Sequence, residues 1–339
     1  MSSSSVPLPV IALTPGDCTG IGPEMTARIL ADRRMASIGR MLVVGDRRAL
    51  DLGMRQAGVA FDYRLYADAA NIDWSHDTIP LIDLGNTDPA LYPPGVASAE
   101  SGRVTGETLA RAIDFAKAGA VDAISFAPLN KRAMFDGGWK FPDEHKMFAH
   151  LLGHTTYFSE MNVLDGQWMS RVTSHVSLRQ AVEQVTRPAI EAAIVLATRM
   201  MEKAGIKAPR LAVAALNPHG GEGGLFGMEE IEIIRPAVEA MAATGILCEG
   251  PFPSDTVYIK AFAGHYDGVL SMYHDQGQIA TKMRGFNRGV TVTGGLDTVF
   301  TTPAHGTAFD IVGKGLADTG AFEAAIRLAG MLASRGATR

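Results

Sequence analysis

Cysteine is scarce. The 339 residues contain two, Cys18 and Cys248, too few for a disulfide framework and in no Cys-x-x-Cys pair. The expected compartment is therefore reducing, the cytoplasm, and a thiolate zinc site is excluded. Charge is sparse as well: 31 Lys and Arg stand against 36 Asp and Glu, and charged residues make up 20% of the chain against 47% hydrophobic. That balance excludes a disordered chain and a basic footprint for nucleic acid. No apolar run approaches the ~20 residues of a membrane helix, so a soluble protein without a membrane partner is expected. The first ten residues lack the basic and apolar segments of a signal peptide and read as a loose terminus. The chain also has no G-x-G-x-x-G fingerprint, no Walker lysine loop, no internal repeat and no low-complexity linker.

The length corresponds to roughly two domains. Short β-branched apolar runs alternate with stretches of helical period, which predicts an α/β fold with parallel strands. Strands are expected at Val6–Leu13, Met41–Val44, Ile79–Leu84, Ala123–Phe126, Leu211–Leu216 and Gly268–Met272, buried on both faces. Helices are expected at Glu24–Asp32, Gly102–Ala118, Arg187–Ala204 and Glu229–Ala243, with Pro23 and the Thr186-Arg187-Pro188 run marking two of their starts. The interval Asn130–Gln167, rich in aromatic, His and Lys residues, reads as an inserted, site-forming segment.

Three histidines sit at predicted strand ends: His175 in Thr-Ser-His-Val, His219 in Asn-Pro-His-Gly-Gly-Glu-Gly-Gly, and His274 in Tyr-His-Asp-Gln-Gly. Ligands of open α/β sheets bind at that edge. Three neutral imidazoles make a site for a divalent metal (Zn, Mg, Co, Mn or Ni) acting as a Lewis acid, with Asp275 as a further ligand or an orienter. They lie too far apart in sequence for a local motif, so only folding or dimerisation brings them together. The run Thr14-Pro-Gly-Asp-Cys-Thr-Gly-Ile-Gly-Pro-Glu24 is either a structural turn or a loop whose amides face an anion. His305-Gly-Thr-Ala-Phe-Asp310 and the Gly-Lys-Gly after it read as a surface loop or as a nucleotide loop, with His305 by the adenine and Asp310 on a polar group. Lys282, Arg284 and Arg288 suit a carboxylate or phosphate.

These segments together resemble the 4-hydroxythreonine-4-phosphate dehydrogenase family. The resemblance rests on Thr14–Asp17, Gly20–Glu24, Leu216–His219, Gly221–Gly224, Gly250-Pro251 with Asp255-Thr256, Met272–Gly277 and His305–Ala308, and it covers nearly the whole chain. The first and last segments are also similar to isocitrate and isopropylmalate dehydrogenases. The resemblance implies two α/β/α domains flanking a cleft, residues 1–128 with 290–339 and residues 129–289. It also implies a homodimer with a shared site, in which one subunit supplies two of His175, His219 and His274 and its partner the third. It further implies a nicotinamide cofactor, NAD or NADP, bound without a Rossmann fingerprint. Asn217, Gly221, Glu222, Gly223, His305 and Asp310 are assigned to that cofactor.

In the family a Gly-His-Thr-Glu run holds the phosphate end of the substrate; here Glu144-His145-Lys146-Met147 stands in its place. Thr291 and Phe300 align with a substrate-binding asparagine and arginine, and Lys282 with a substrate-binding lysine. The substrate side is thus His145, Lys146, Lys282, Thr291 and Phe300, with Lys282 and Asp275 as catalytic candidates for proton transfer or charge stabilisation. The expected activity is metal- and NAD(P)-dependent oxidation of a secondary alcohol near a carboxylate of a small hydroxy acid, with decarboxylation, the family's chemistry on a substrate changed to match the altered phosphate-end pocket. The runner-up is the family reaction on 4-hydroxythreonine, threonate or erythronate 4-phosphate, with Lys146 serving the phosphate. Alternatives are a dehydrogenase of a carboxylated cis-dihydrodiol, of the terephthalate type, an acyl-phosphate transferase, and an inactive binding protein.

Overall fold

The computed structural model describes residues 8–285 and 288–334. The reading of the terminus, and the first two residues of the expected Val6–Leu13 strand, therefore fall on or partly on residues outside the described ones. The chain forms two compact units, Met1–Thr155 with Leu296–Arg339, and Thr156–Gly295.

Strands β1 (Val10–Thr14), β2 (Arg40–Gly45), β3 (Tyr63–Tyr66), β4 (Ile79–Asp83) and β5 (Ala123–Phe126) belong to the first unit. Strands β6 (Ser159–Leu164), β7 (Gln167–Arg171), β8 (Leu211–Ala214), β9 (Cys248–Phe252), β10 (Gly268–Ser271) and β11 (Val290–Gly294) form the second, after which the chain returns to the first as β12 (Val299–Pro303). The first unit orders its strands β3-β4-β2-β1-β5-β12, all parallel. The second orders them β11-β6-β7-β10-β8-β9. Its first two pairings are antiparallel and the other three parallel. Strands β5, β8 and β10 are buried at every position, which is why they read as unbroken apolar runs.

The expected helices form with shifted ends. Helix Gly22–Asp32 has Pro23 in its first turn and packs so closely on helix Arg47–Ala57 that a Cβ at Gly53 would lie 2.1 Å from the Pro23 carbonyl oxygen. Helix Ala99–Lys117 starts three residues before the expected Gly102, because Ser98 and Ser101 close a capping box. Thr186 makes no side-chain cap for helix Arg187–Lys203, so only the proline of that expected start signal operates. The expected Glu229–Ala243 helix opens as a π turn, Glu230–Ile234, before α-helix Arg235–Ala243. Pro236 has no N–H for the α ladder, and the Arg235 N–H reaches back five residues to Glu230 instead.

The unit boundaries differ from those expected. Residues 129–155 pack in the first unit as helices Lys131–Asp136 and Glu144–Leu152. Among the aromatic residues that made Asn130–Gln167 look site-forming, Phe148 is a core anchor, which stacks on Phe300 at 4.2 Å and meets Phe126 edge-on at 5.5 Å, whereas Phe135 and Tyr157 are exposed. Residues 290–295 belong to the second unit, because β11 pairs with β6. Phe300, expected to touch substrate, is fully buried in this stack and offers no surface to a ligand. Phe300→Ala is accordingly expected to cost about 3–5 kcal/mol in urea unfolding; a loss below about 1 kcal/mol would remove the stack from the core.

Candidate functional site

Strands β7, β10 and β8 are consecutive parallel neighbours in the second unit, so their C-terminal ends lie along one edge. His175 follows β7, His274 opens helix His274–Gly285 directly after β10, and His219 follows β8. The His175 and His274 rings approach to 5.5 Å between centroids. With Thr173, Tyr273 and Asp275 they line a cavity of about 190 Å³. His274 Nδ1 lies 2.7 Å from Asp275 Oδ1, a contact that favours the tautomer with its proton on Nδ1.

Behind His175 lies a buried polar network. Glu160 Oε2 is 3.8 Å from His175 Nε2, a charge–dipole approach rather than a hydrogen bond, while its Oε1 accepts from the Arg171 guanidinium at 3.2 Å. Arg171, 3% exposed, also donates to Asn162 Oδ1, and its guanidinium donates to the Gln278 side-chain oxygen at 3.1 Å. Asn162 Nδ2 donates in turn to the Thr291 hydroxyl at 3.0 Å. Thr291, expected on the substrate side, is thus buried and engaged by this network.

His219 does not join the pair. Among the described residues, no group of three or more His, Cys, Asp or Glu could hold a metal ion. Its loop is unusual: all five residues His219–Gly223 are left-handed, including two non-glycines, His219 (φ +53°) and Glu222 (φ +43°). His175 also has φ +53°. Such positions cost about 1–3 kcal/mol each and persist where surroundings enforce them, characteristically at functional sites. Asn217, assigned to the cofactor, instead braces the loop from within, its Nδ2 donating to Glu229 at 2.7 Å and Glu230 at 2.9 Å. Gly221 is buried inward as well, whereas Glu222 and Gly223 lie on the exposed side.

In the first unit the two dense terminal motifs meet. The Ile21 N–H donates to the Thr307 carbonyl at 3.1 Å, and a Cβ at Gly20 would stand 2.9 Å from Thr307 Cβ, which favours the structural-turn reading of the N-terminal run. Glu24 is fully buried, bound to Arg28 at 3.0 Å and to the Ala317 N–H at 3.1 Å, so the same run also fixes the segment beyond Asp310. Burial, assisted by the Asp17 charge, pushes the Cys18 thiol up to about 12, which removes it as a nucleophile. His305 is half-buried and Asp310 exposed. His145 is buried in the first turn of helix Glu144–Leu152, with Nε2 3.7 Å from Glu144 Oε1. Exposed Lys146 follows it, and Lys131 pairs with Glu144 at 2.8 Å. Lys282 is exposed on helix His274–Gly285.

The fold therefore assembles His175, His274 and Asp275, and separately the His305 loop with the N-terminal run. Sequence reasoning missed Glu160, Asn162, Arg171, Glu229 and Glu230. The visible signal was polar residues inside otherwise apolar runs, Arg171 closing β7 above all.

The family described as pyridoxal phosphate biosynthetic protein PdxA matches residues 37–329. The chain belongs to this family. It is 41% identical to a D-threonate 4-phosphate dehydrogenase of Cupriavidus necator, over 97% of this chain and 98% of the relative. A solved 4-hydroxythreonine-4-phosphate dehydrogenase of Klebsiella pneumoniae superposes with a TM-score of 0.83 at 39% identity, covering 98% of this chain and 100% of that one. A terephthalate 1,2-cis-dihydrodiol dehydrogenase of Burkholderia xenovorans LB400 is more distant, with a TM-score of 0.66 and 27% identity over 95% and 98% of the two chains.

Arg171→Met would strand the Glu160 carboxylate, 11% exposed, without its guanidinium. The expected loss is about 3 kcal/mol in urea unfolding, recovered in part when Glu160→Gln is added. A loss below about 1 kcal/mol would show that this pair does not organise the network.

Proposed function

We propose that this PdxA-family protein is a metal- and nicotinamide-dependent dehydrogenase of a 4-phosphorylated hydroxy acid, D-threonate 4-phosphate or 4-hydroxythreonine 4-phosphate. The observation that carries the reading is the His175–His274 pair, oriented by Asp275 over a cavity at the parallel-strand edge, in a chain whose high-coverage relatives carry those names. The donor chemistry fits: two neutral imidazoles suit a divalent first-row metal and leave positions open for substrate oxygens. The metal, when bound, supplies Lewis-acid polarisation of the substrate hydroxyl, and the nicotinamide accepts the hydride.

The chain's own groups do the rest. His175 and His274 hold the metal, Asp275 keeps the His274 tautomer, and Lys282 takes a substrate anion or the hydroxyl proton. Oxidation of the C3 alcohol releases one hydride and one proton and leaves a ketone β to the C1 carboxylate, and that β-keto acid then loses CO2. At the phosphate end, His145 and Lys146 replace the family's His and Thr. Lys131 offsets the Glu144 charge, so a phosphate beside Lys146 meets no unbalanced carboxylate there. His305 and exposed Asp310 serve the nucleotide end, Asp310 as an acceptor for a ribose hydroxyl.

A second copy of the chain completes the site on this reading. Exposed Val176 and Leu178 line the His175–His274 cavity, and exposed Val182, Ile279 and Met283, the last 84% exposed, lie further along the helices that begin at Leu178 and His274. Exposed Phe226 stands beside His219, with Leu225 and Met228 exposed in the same segment. Apolar surface of this kind around an incomplete ligand set supports a homodimer whose partner contributes the third imidazole.

Formation of reduced nicotinamide by metal-reconstituted protein tests the activity. D-threonate 4-phosphate or 4-hydroxythreonine 4-phosphate is expected to turn over, and His274→Ala to abolish turnover without loss of helical content. Turnover of a terephthalate cis-dihydrodiol alone would overturn the phosphate end, and acyl exchange without nicotinamide would overturn the class. For the assembly, Met283→Glu is expected to shift the protein from dimer to monomer in sedimentation velocity and to weaken metal binding. An unchanged dimer would remove this face as the interface.

A further inference from the structure

We propose that Glu230 is the positioning residue for His219, fixing the left-handed turn that presents the imidazole; this rests on the metal reading above. The loop's own backbone hydrogen bonds include Gly220 N–H to the Asn217 carbonyl at 3.2 Å, Leu225 N–H to that of Glu222 at 3.3 Å and Phe226 N–H to that of Gly221 at 3.1 Å. Five consecutive left-handed residues, two of them with side chains, oppose the backbone preference of L-residues.

Beside the loop's own bonds, a buried carboxylate holds it at its entrance. Glu230 is 1% exposed. Its Oε1 accepts the Leu216 N–H at 2.8 Å and the Asn217 N–H at 2.7 Å, and its Oε2 accepts Asn217 Nδ2 at 2.9 Å. The chain is therefore gripped two residues before His219. The loop also folds down onto the same group: a Cβ at Gly221 would lie 2.7 Å from Glu230 Oε2, so glycine is required there by packing as well as by its φ of +79°.

The local helix geometry serves this contact. Glu230 opens the π turn, and the preceding Glu229 places its own Oε2 2.7 Å from the same Asn217 Nδ2, so two adjacent carboxylates converge on one amide. All three of these partners of the Glu230 side chain are donors, and only a carboxylate accepts at both ends. A glutamine would set an NH2 against N–H groups. A merely structural carboxylate would support stability alone, whereas this one acts through two residues of chain on a proposed metal ligand.

The test uses the full-length protein with Zn2+ as probe, its affinity read by competition with a chromophoric chelator. The His219 imidazole is read independently, by 15N–1H correlation in metal-free, histidine-labelled protein. Glu230→Gln is expected to retain its circular dichroism spectrum, to bind Zn2+ about 10–100-fold more weakly, and to move the His219 ring signals while those of His175 and His274 stay in place. Gly221→Ala, which lifts the loop off an intact carboxylate, is expected to shift both readouts in the same direction. Wild-type affinity with unmoved His219 signals in either folded variant overturns the proposal. If neither variant folds, Glu230 is a folding determinant and the proposal likewise fails. If the unaltered protein binds no Zn2+, the metal reading falls, and the His219 signals still decide the role of Glu230.

Discussion

Parallel strands end side by side, and the chemistry of the second unit depends on that constraint. Once β7, β10 and β8 run the same way as neighbours, the three segments leaving them start on one edge. At that edge the hydrogen-bond ladder stops, and the backbone must find other partners. Side chains provide them: Gln276 donates to the Ala215 carbonyl and accepts the Met272 N–H, and Glu230 takes the amides after β8. The turns that lead to His274 and His219 are thus tied at their roots by polar side chains, Gln276 and Glu230.

The same rule governs the charges behind the site. A buried carboxylate persists where it is paired or hydrogen-bonded. Glu160 has Arg171, Glu230 has three N–H donors, and Glu24 has Arg28 with the Ala317 amide. Each links segments far apart in sequence or fixes a reversal, so these acids hold the frame in which the exposed groups, Asp275 and Lys282 among them, operate.

Much of the frame was legible in the sequence. Ala123–Phe126 emerged with its expected bounds, because a strand buried on both faces is a short, mainly apolar run, here delimited by Asp122 before it and Pro128 just beyond it. The placing of the three histidines after strands was legible, and two of them, His219 and His274, stand out because Gly or Asp flanks them. What escaped depends on three-dimensional register. Phe300 aligns with a ligand position, yet in β12 it points to Phe148, and sequence cannot tell a core aromatic from a lining one. Asn217 resembles a ligand contact, and only folding reveals that two glutamates from the next helix consume its amide. The boundary near residue 129 was missed for the same reason: composition marked the segment, but the stack on Phe300 decides where it packs.

The division of the ligand set has a physical consequence for assembly on the proposed reading. Two imidazoles alone give a divalent ion half the donors of a closed tetrahedral site. On that reading a single chain presents an incomplete site with an apolar margin of exposed Val176 and Leu178 at the His175–His274 cavity and exposed Phe226 beside His219. Burying that margin removes apolar area from water, a gain that is independent of the metal. The third imidazole rides on a stiff turn rather than a flexible loop, so little further entropy is lost when it arrives. Association and site completion then share one driving force, which couples metal affinity to protein concentration. The open coordination positions that remain after three imidazoles are the ones a hydroxy acid needs, so the donor count that makes the isolated chain inadequate is also what leaves the assembled site able to bind substrate.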